Sequence, residues 1–184
     1  ANSAGLWTIE NDINDGVTAN CIEITVPNVI LDCQGHIINS TNNAVGNVGI
    51  RVIGGANITV QNCIISGWGN GFLESGLVFL SSSNGGARNI LLEDNYEGLG
   101  ASSSSSNVFS NITSSNNRGT GIYFILSGGN TFNNIVTNSN ANNGVELGTS
   151  TGNIFNNLVS SSNTNSGIRL PNVKFNNINK IIFK

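Results

Sequence analysis

The feature that most constrains the fold of this chain is a repeat with a fixed period. A glycine followed by an apolar residue recurs every 23 residues in the second half of the sequence, and a phenylalanine recurs with the same period. The glycines are Gly98, Gly121, Gly144 and Gly167, and the phenylalanines are Phe109, Phe132 and Phe155. Phe175 follows after 20 residues and indicates a shortened last unit. Agreement between two independent landmarks indicates repeated structural units.

Each unit has the pattern of short strands joined by corners. The first and third residues after the repeat glycine are apolar, as in Ile122 and Phe124 or Val145 and Leu147. This alternation is typical of a strand with one buried face. Corners rich in Asn, Gly and Ser separate the strands, and no stretch has helical periodicity. All-strand units of this length stack as coils. The sequence therefore predicts an all-β parallel solenoid of about seven coils.

Asparagine also recurs in register with the repeat. Stacked amides one strand spacing apart can hydrogen-bond to one another, and Asn tolerates the left-handed backbone of a sharp corner. We predict a structural ladder, with Asp94 in the irregular unit. Its predicted members are Asn62, Asn111, Asn134, Asn157 and Asn177.

The two ends differ from the repeated middle. Residues 1–26 do not fit the unit, so we predict a single domain over 1–184 in which 1–26 covers the first coil and 27–184 form the coils. The C-terminal apolar residues Ile181, Ile182 and Phe183 have no polar cap after them. Head-to-tail contacts between such ends generate filaments. We therefore predict self-association through this end.

The composition limits the possible partners. Only 9% of the residues are charged, the net charge is −3, and seven Lys plus Arg make nucleic-acid binding unfavourable. No apolar run reaches membrane-spanning length. The chain starts at Ala1 and has no methionine, which we interpret as a processed, exported protein. Sequons at Asn39, Asn57 and Asn111 predict a secreted glycoprotein.

Two segments carry a family resemblance. The segment "NCIEITVPNVILDCQGHII" (20–38) is followed by "NITVQNCIISGWGNG" (57–71). Together they resemble the NosD-like, CASH-type parallel β-helix repeat proteins, most closely those of archaeal cell surfaces, and the resemblance extends over residues 20 to 178. It implies a right-handed parallel β-helix, export, and a surface-attached or carbohydrate-related role. Since the family includes both sugar-binding and sugar-cleaving members, the resemblance does not settle the activity.

The cysteines and the lone histidine bear on metals and disulfides. The resemblance carries Cys21 and Cys33, and an oxidising compartment favours a disulfide between them, with Cys33–Cys63 as the alternative. Soft metal sites need clusters of Cys, Met or His, whereas the chain has one histidine, His36. We predict no metal and no cofactor.

No convergent catalytic group is visible in the sequence. Glycoside cleavage needs two carboxylates across a few ångströms. Asp32 with Glu93 or Glu146 is the best available pair, and Arg169 next to Glu146 in register predicts a simple exposed ion pair. We therefore predict that the protein is not an enzyme. A polysaccharide hydrolase or lyase is the least favoured alternative.

Binding is the stronger alternative. Residues 66–76 interrupt the repeat and contain Trp68 and Phe72, and sugars stack on exposed rings. The same residues could instead cover the core under a longer loop. Our interpretation is an extracellular or cell-surface structural, adhesive protein that assembles into filaments. The alternative is a carbohydrate-binding module that uses Trp68 and Phe72, with cell-surface glycans as partners.

Overall fold

The computed structural model describes residues 3–15, 20–41, 46–174 and 176–183, and in these ranges the chain forms strands and no helix. The strands are β1 (Gly5–Thr8), β2 (Ile13–Asp15), β3 (Ile22–Ile24), β4 (Val29–Asp32), β5 (Ile37–Ser40), β6 (Ile50–Ile53), β7 (Thr59–Ser66), β8 (Ser75–Leu80), β9 (Gly86–Glu93), β10 (Glu97–Ser102), β11 (Val108–Ser115), β12 (Ile122–Ile125), β13 (Thr131–Asn138), β14 (Val145–Gly148), β15 (Ile154–Ser161), β16 (Ile168–Arg169), β17 (Asn177–Ile178) and β18 (Ile181–Phe183).

The strands form two parallel sheets that are wound together as a solenoid. The seven-stranded sheet has the order β16-β14-β12-β10-β8-β6-β3, so each coil contributes one strand to it. The 11-stranded sheet has the main order β1-β4-β7-β9-β11-β13-β15-β17, and β2, β5 and β18 pair at its side. Seven coils with this parallel register confirm the all-β solenoid that the repeat predicts.

The core is a stack of identical side chains between the sheets. Phe109, Phe132 and Phe155 are fully or almost fully buried and stack with ring centroids 5.2 and 4.2 Å apart. Phe124 meets Phe132 edge-on at 5.1 Å. Complete burial of such a side chain contributes about 1.5–3 kcal/mol. The 23-residue period therefore places equal volumes above one another in the three coils that contain these phenylalanines.

An asparagine ladder runs along an exposed corner of the 11-stranded sheet. Each amide donates to the amide oxygen of the preceding coil at 3.0–3.1 Å, and Asp32 accepts from the first. All five asparagines have a left-handed backbone, with φ between 54° and 62°. The members are Asn62, Asn89, Asn111, Asn134 and Asn157. The prediction of Asp94 in the irregular unit is wrong because Asn89 holds that position.

The last coil corrects a second ladder position. β17 pairs Ile154 with Asn177 and Phe155 with Ile178, so Ile178 continues the phenylalanine column after another 23 residues. Asn177 is therefore outside the corner ladder. β18 aligns Leu158 with Ile181. The last unit is not shortened, and Phe175, which suggested the shorter interval, lies outside the described residues.

Two further asparagine ladders are buried, and sequence reasoning missed both. In one, the Asn130 amide nitrogen donates to Asn153 at 3.1 Å and to the Ser104 carbonyl oxygen at 3.1 Å. In the other, Asn117 donates to Asn140 at 2.8 Å. Buried amides need such partners. The two sets are Asn107, Asn130, Asn153 with Asn176, and Asn95, Asn117, Asn140 with Asn163.

The described part of 1–26 continues the solenoid. β1 pairs in parallel with β4, β2 with β5, and β3 with β6. The His36 ring nitrogen Nδ1 lies 3.0 Å from the Asp12 carboxylate, which also accepts from the Ile37 N–H at 3.0 Å. This segment, which the sequence predicted to cover the first coil, thus supplies strands to both sheets.

The disulfide joins Cys33 to Cys63, with Cα atoms 4.9 Å apart. The predicted Cys21–Cys33 pair is wrong, and the alternative pairing is the one observed. The reason is register: Cys33 and Cys63 occur on neighbouring coils and both lie in the core, whereas Cys21 packs against the core from the side. The bridge therefore joins two successive coils.

Candidate active site

A cleft opens on the outer face of the seven-stranded sheet, next to the loop 67–74 that connects β7 to β8. It has a volume of about 160 Å³ and is lined by side chains from four successive coils. Two carboxylates and three aromatic rings meet in it. The lining residues are Phe72, Tyr96, Glu97, Gly119, Thr120, Tyr123, Asn142 and Glu146.

The 67–74 loop is fixed by its buried tryptophan. Trp68 has no exposed surface, its indole N–H donates to the Ile38 carbonyl oxygen at 2.9 Å, and its backbone N–H donates to Asn95 at 3.0 Å. The prediction of Trp68 as a ligand-binding ring is therefore wrong, and its role is to cover the core. Arg118 also donates to the Gly69 carbonyl oxygen at 2.6 Å.

Phe72 lies at the tip of the same loop and forms the aromatic wall of the cleft. Its side chain is 59% exposed and meets the Tyr123 ring edge-on, with centroids 4.9 Å apart. Gly100 lies opposite the end of the loop. A Cβ at Gly100 would lie 2.6 Å from the Ser75 hydroxyl oxygen and 3.4 Å from the Leu73 side chain, so one of these neighbours would have to move.

Glu97 is the most perturbed acid of the described residues. It begins β10, is 4% exposed, and accepts from the Leu73 N–H at 3.2 Å and the Ser75 hydroxyl at 3.4 Å. Burial is the main cause that raises the pKa of Glu97 to about 8; the two hydrogen bonds oppose this shift, and the nearby carboxylates of Glu146 and Glu74 add to it. Glu97 is therefore protonated at neutral pH.

Glu146 has the opposite environment. It lies in β14, is 8% exposed, and its carboxylate accepts from the Arg169 guanidinium and from the Asn143 amide at 2.7 Å. A cation and an amide donor are the partners that hydrogen-bond most strongly to a carboxylate. Tyr123 stands between the two acids, and burial followed by the charges of Glu146 and Glu97 raises the pKa of its phenol.

A second, polar lobe extends the cleft towards β16. It has a volume of about 420 Å³ and shares Asn142 and Glu146 with the aromatic lobe. Tyr123, Glu146 and Arg169 are in register on three neighbouring strands, so the two lobes cross successive coils along the solenoid. The other residues of the polar lobe are Asn143, Asn165, Ser166 and Arg169.

The other acids considered from the sequence lie elsewhere. Asp32 and Glu93 belong to the 11-stranded sheet. Hydrogen bonds from Asn62, the Gln34 N–H and Gln61 lower the pKa of Asp32, so it stays ionised within the corner network. Of the predicted acid pairs, the structure brings only Glu146 into the cleft.

Sequence reasoning missed Glu97, the second acid. It directly precedes the repeat glycine Gly98, in a column otherwise occupied by uncharged residues, and β8 pairs Ser75 with it. The acids that the sequence analysis considered, Asp32, Glu93 and Glu146, lie in other columns. A search for charged residues in otherwise uncharged columns would have found Glu97.

The remaining predicted residues are at the surface. Asn57 and Asn111 are exposed, and both donate into ladders of neighbouring asparagines. Asn39 is half-buried and accepts from the Ser66 hydroxyl at 2.9 Å. At the C-terminal edge Ile182 and Phe183 are 36% and 61% exposed.

Within the described residues, no group of three or more His, Cys, Asp or Glu side chains is placed to hold a metal ion. The same ranges contain no helix with the length and apolar character needed to cross a bilayer.

Comparison with solved structures places the fold among β-helix proteins. The enzymatically active domain of tailspike protein 2 from bacteriophage CBA120 has a TM-score of 0.65 at 14% identity, covering 98% of this chain and 38% of that one. A periplasmic alginate epimerase, AlgG, has a TM-score of 0.63 at 12% identity, covering 88% and 49%. The catalytic domain of an alpha-1,3-glucanase has a TM-score of 0.51 at 18% identity, covering 88% and 34%. The chain thus spans less than half of each neighbour, and at these identities the likeness shows the fold.

These findings correct the prediction that the protein is not an enzyme. The neighbours are named as enzymes, which points away from a non-enzyme. The prediction also depended on the lack of convergent acids, whereas Glu97 and Glu146 line one cleft. The physical reason for the error is that the two acids occupy different columns and meet through the folding of successive coils.

A search of curated protein sequences finds no match to this chain. The family described as right handed beta helix region matches residues 2–183, almost the whole sequence. With the parallel register of both sheets, this match shows that the chain belongs to the right-handed β-helix family.

Proposed function

We propose that the protein binds a polysaccharide along the cleft and cleaves its glycosidic bonds, with Glu97 as the general acid. The observation that carries this proposal is a buried glutamic acid and an ion-paired glutamate in one cleft beside three aromatic rings. Glycoside hydrolysis uses two carboxyl groups that flank the scissile bond.

Glu97 has the protonation state that the first step needs. Cleavage of a glycosidic bond requires a proton on the leaving oxygen, and an acid is effective when its pKa lies near the working pH. Burial holds the pKa of Glu97 at about 8, so the proton is present at neutral pH. The Leu73 N–H and the Ser75 hydroxyl orient the carboxyl group.

Glu146 supplies the negative charge. The Arg169 guanidinium and the Asn143 amide bind its carboxylate and hold its orientation. Glu97 and Glu146 come from strands two coils apart, about 10 Å along the solenoid axis at one strand spacing per coil. Strand positions this far apart favour the wider carboxylate spacing of inverting enzymes over the spacing of roughly 5 Å in retaining ones, so we assign Glu146 as the base.

The aromatic wall supports sugar binding. Phe72, Tyr96 and Tyr123 line the lobe that contains Glu97, and sugar rings stack on such faces. Phe72 keeps most of its surface exposed although it lies on a rigid loop. An exposed ring held in place loses little entropy when a sugar binds to it.

The names of the fold neighbours agree with this direction. They include an alginate epimerase, an alpha-1,3-glucanase and an alginate lyase from Paenibacillus. Since this chain spans only part of each of them, their activities come to it as a proposal only.

The test is release of reducing ends from a panel of polysaccharides by the wild type, Glu97→Gln and Glu146→Gln, with Glu93→Gln as a matched control on the other sheet. We expect release by the wild type and the control and loss in the two cleft variants. Absence of cleavage and binding with every polymer would contradict the proposal. An unsaturated product, detected by its ultraviolet absorbance, would show that the bond is cleaved by elimination and not by hydrolysis.

The location and the assembly remain proposals of finer detail. The Cys33–Cys63 disulfide favours an oxidising compartment, so we propose an extracellular or cell-surface protein related to the NosD-like, archaeal-type proteins. Glycosylation at Asn39, Asn57 or Asn111 is tested by intact mass of the natively expressed protein. Light scattering at high protein concentration tests head-to-tail filaments through Ile181, Ile182 and Phe183. If only monomers are found, the filament proposal is wrong.

A further inference from the structure

The groove, meaning the aromatic and polar lobes together, presents no unpaired cation among the described residues that line it. Of the described residues that line it, Arg169 is the only basic one, and its guanidinium binds Glu146. Glu97 lies in the same groove, and the charge of Glu74 reaches it from the 67–74 loop. Arg118 is directed at the backbone of that loop, where it donates to the Gly69 carbonyl oxygen.

A polymer of uronic acids would meet an unfavourable environment here. Each of its carboxylates needs a cationic or strong hydrogen-bond donor partner when it loses water. Arg169 and Glu146 compensate each other's charge, so Arg169 is not available to a sugar carboxylate, and Glu74 on the adjoining loop is a further negative charge. A sugar carboxylate next to Glu97 would also meet a group that is itself desolvated.

The other lining groups are suited to hydroxyls. Asn142, Asn143, Asn165, Ser166 and Thr120 each offer a neutral donor and acceptor. Sugar hydroxyls are also donors and acceptors, so they can exchange hydrogen bonds with these side chains without unpaired charge. The adjoining rings of Phe72 and Tyr123 contact the apolar faces of the sugars.

We propose that the substrate is a neutral polysaccharide and that the groove discriminates against polyuronates, because the one cation that lines it is already paired with Glu146 and Glu74 adds a negative charge on the adjoining loop. This inference rests on the proposed function, because it concerns the same groove. It separates the chain from those fold neighbours whose names refer to alginate.

The experiment compares polymers that differ only in charge. Polygalacturonate and alginate are each tested with their carboxyl-reduced, neutral derivatives, together with a neutral glucan and a mannan, for binding and cleavage at low and high salt. We expect at least one neutral polymer to bind and be cleaved, and each polyuronate to bind roughly tenfold or more weakly than its reduced form, since like charges within a cleft disfavour binding. Salt should narrow this difference.

The Glu74→Gln variant tests the mechanism of discrimination. Removing this charge should reduce the preference for the neutral form by roughly threefold, whereas Glu93→Gln on the other sheet should leave it unchanged. Equal or stronger binding of the native polyuronates would overturn the inference and leave the proposed cleavage function intact. If no polymer of either kind is bound or cleaved, the proposed function fails and the inference fails with it.

Discussion

The two outer faces of this solenoid have the same backbone and different chemistry. Along the 11-stranded sheet, the corner asparagines hydrogen-bond to their own copies in the next coil, which satisfies each amide. Along the seven-stranded sheet, one register column changes from Gly100 to Tyr123, Glu146 and Arg169. Where a column repeats the same polar residue, the side chains hydrogen-bond to one another. Where neighbouring residues of a column differ, some polar groups stay available for a ligand.

The 67–74 loop explains why the unlike side chains gather on the seven-stranded sheet. The 67–74 loop is the one that interrupts the repeat, and it covers Glu97 through Leu73 and Ser75. Without this cover, the carboxyl group would be hydrated and would have an ordinary acidity. The insertion therefore changes the electrostatics of a sheet face that regular coils would leave exposed.

The largest expected effect is the difference in kcat/KM between a variant of a cleft acid, Glu97, and a variant of an acid on the other sheet, Glu93. Glu97→Gln removes the transferable proton and keeps the shape, so we expect kcat/KM for the cleaved polymer to fall by about 10²–10⁴-fold. Glu93→Gln should change it less than twofold, because Glu93 lies on the 11-stranded sheet. Equal losses in the two variants would refute the assignment of the chemistry to one face.

A second comparison is between buried and exposed ladders. Asn130→Ala leaves the Ser104 carbonyl oxygen and the N–H groups of Asn107 without their partner in the interior, which costs about 3 kcal/mol of unfolding free energy, whereas Asn153 still accepts from the backbone N–H of residue 130. Asn134→Ala removes exposed bonds and a left-handed backbone preference, at about 1–2 kcal/mol. Urea unfolding of both variants measures the difference.

The matched variant Asn134→Gly separates the two causes at the exposed corner. Glycine accepts the left-handed backbone, so the remaining loss reports the ladder hydrogen bonds alone. If Asn134→Ala destabilises the protein more than Asn130→Ala, the buried ladders are not the stronger element.

The fold could be predicted from the sequence because it depends on period. The spacing of Phe109, Phe132 and Phe155 gives the stacking directly, and the same register identifies Asn134 and Asn157 as ladder neighbours. Asn89 was missed because the unit that contains it has an irregular length. The cleft could not be predicted, because Glu97 and Glu146 come together only when two columns and an insertion meet in space.

The pH dependence of stability provides a third test. The pKa of Glu97 is about 8 in the folded protein, whereas the ordinary pKa of a glutamate is 4.5. Between these two pH values the folded protein therefore binds more protons than the unfolded chain. Its contribution is complete below the unfolded pKa and is lost as the pH rises towards 8, on the order of 1 kcal/mol per pH unit. The charges facing it are those of Glu74 and Glu146.

Chemical unfolding between pH 5 and 8 measures this slope. Glu97→Gln should flatten it, and Glu93→Gln should not. Asp12 and Asp32 do not interfere in this window, because their pKa values are lowered below the ordinary range. A wild-type slope that persists in Glu97→Gln would assign the effect to another group.

The smallest expected effect concerns the aromatic wall. Phe72→Ala removes an exposed ring at the cleft, and we expect about three- to tenfold weaker binding of the polysaccharide, since such ring contacts are worth about 0.5–1.5 kcal/mol. Val108→Ala removes a similarly exposed apolar side chain from the other sheet and should leave binding unchanged. Affinity electrophoresis in gels that contain the polymer compares the two.

The central claim, that one face holds a buried acid which keeps its proton at neutral pH, can be measured without knowledge of the substrate. Carbon-13 NMR titration of glutamate side chains, with Glu97→Gln for assignment, reads the protonation of this group directly. The structure predicts a Glu97 midpoint at about pH 8, because burial and two neighbouring carboxylates disfavour its charge. A midpoint near 4.5, the ordinary pKa of a glutamate, would contradict the account.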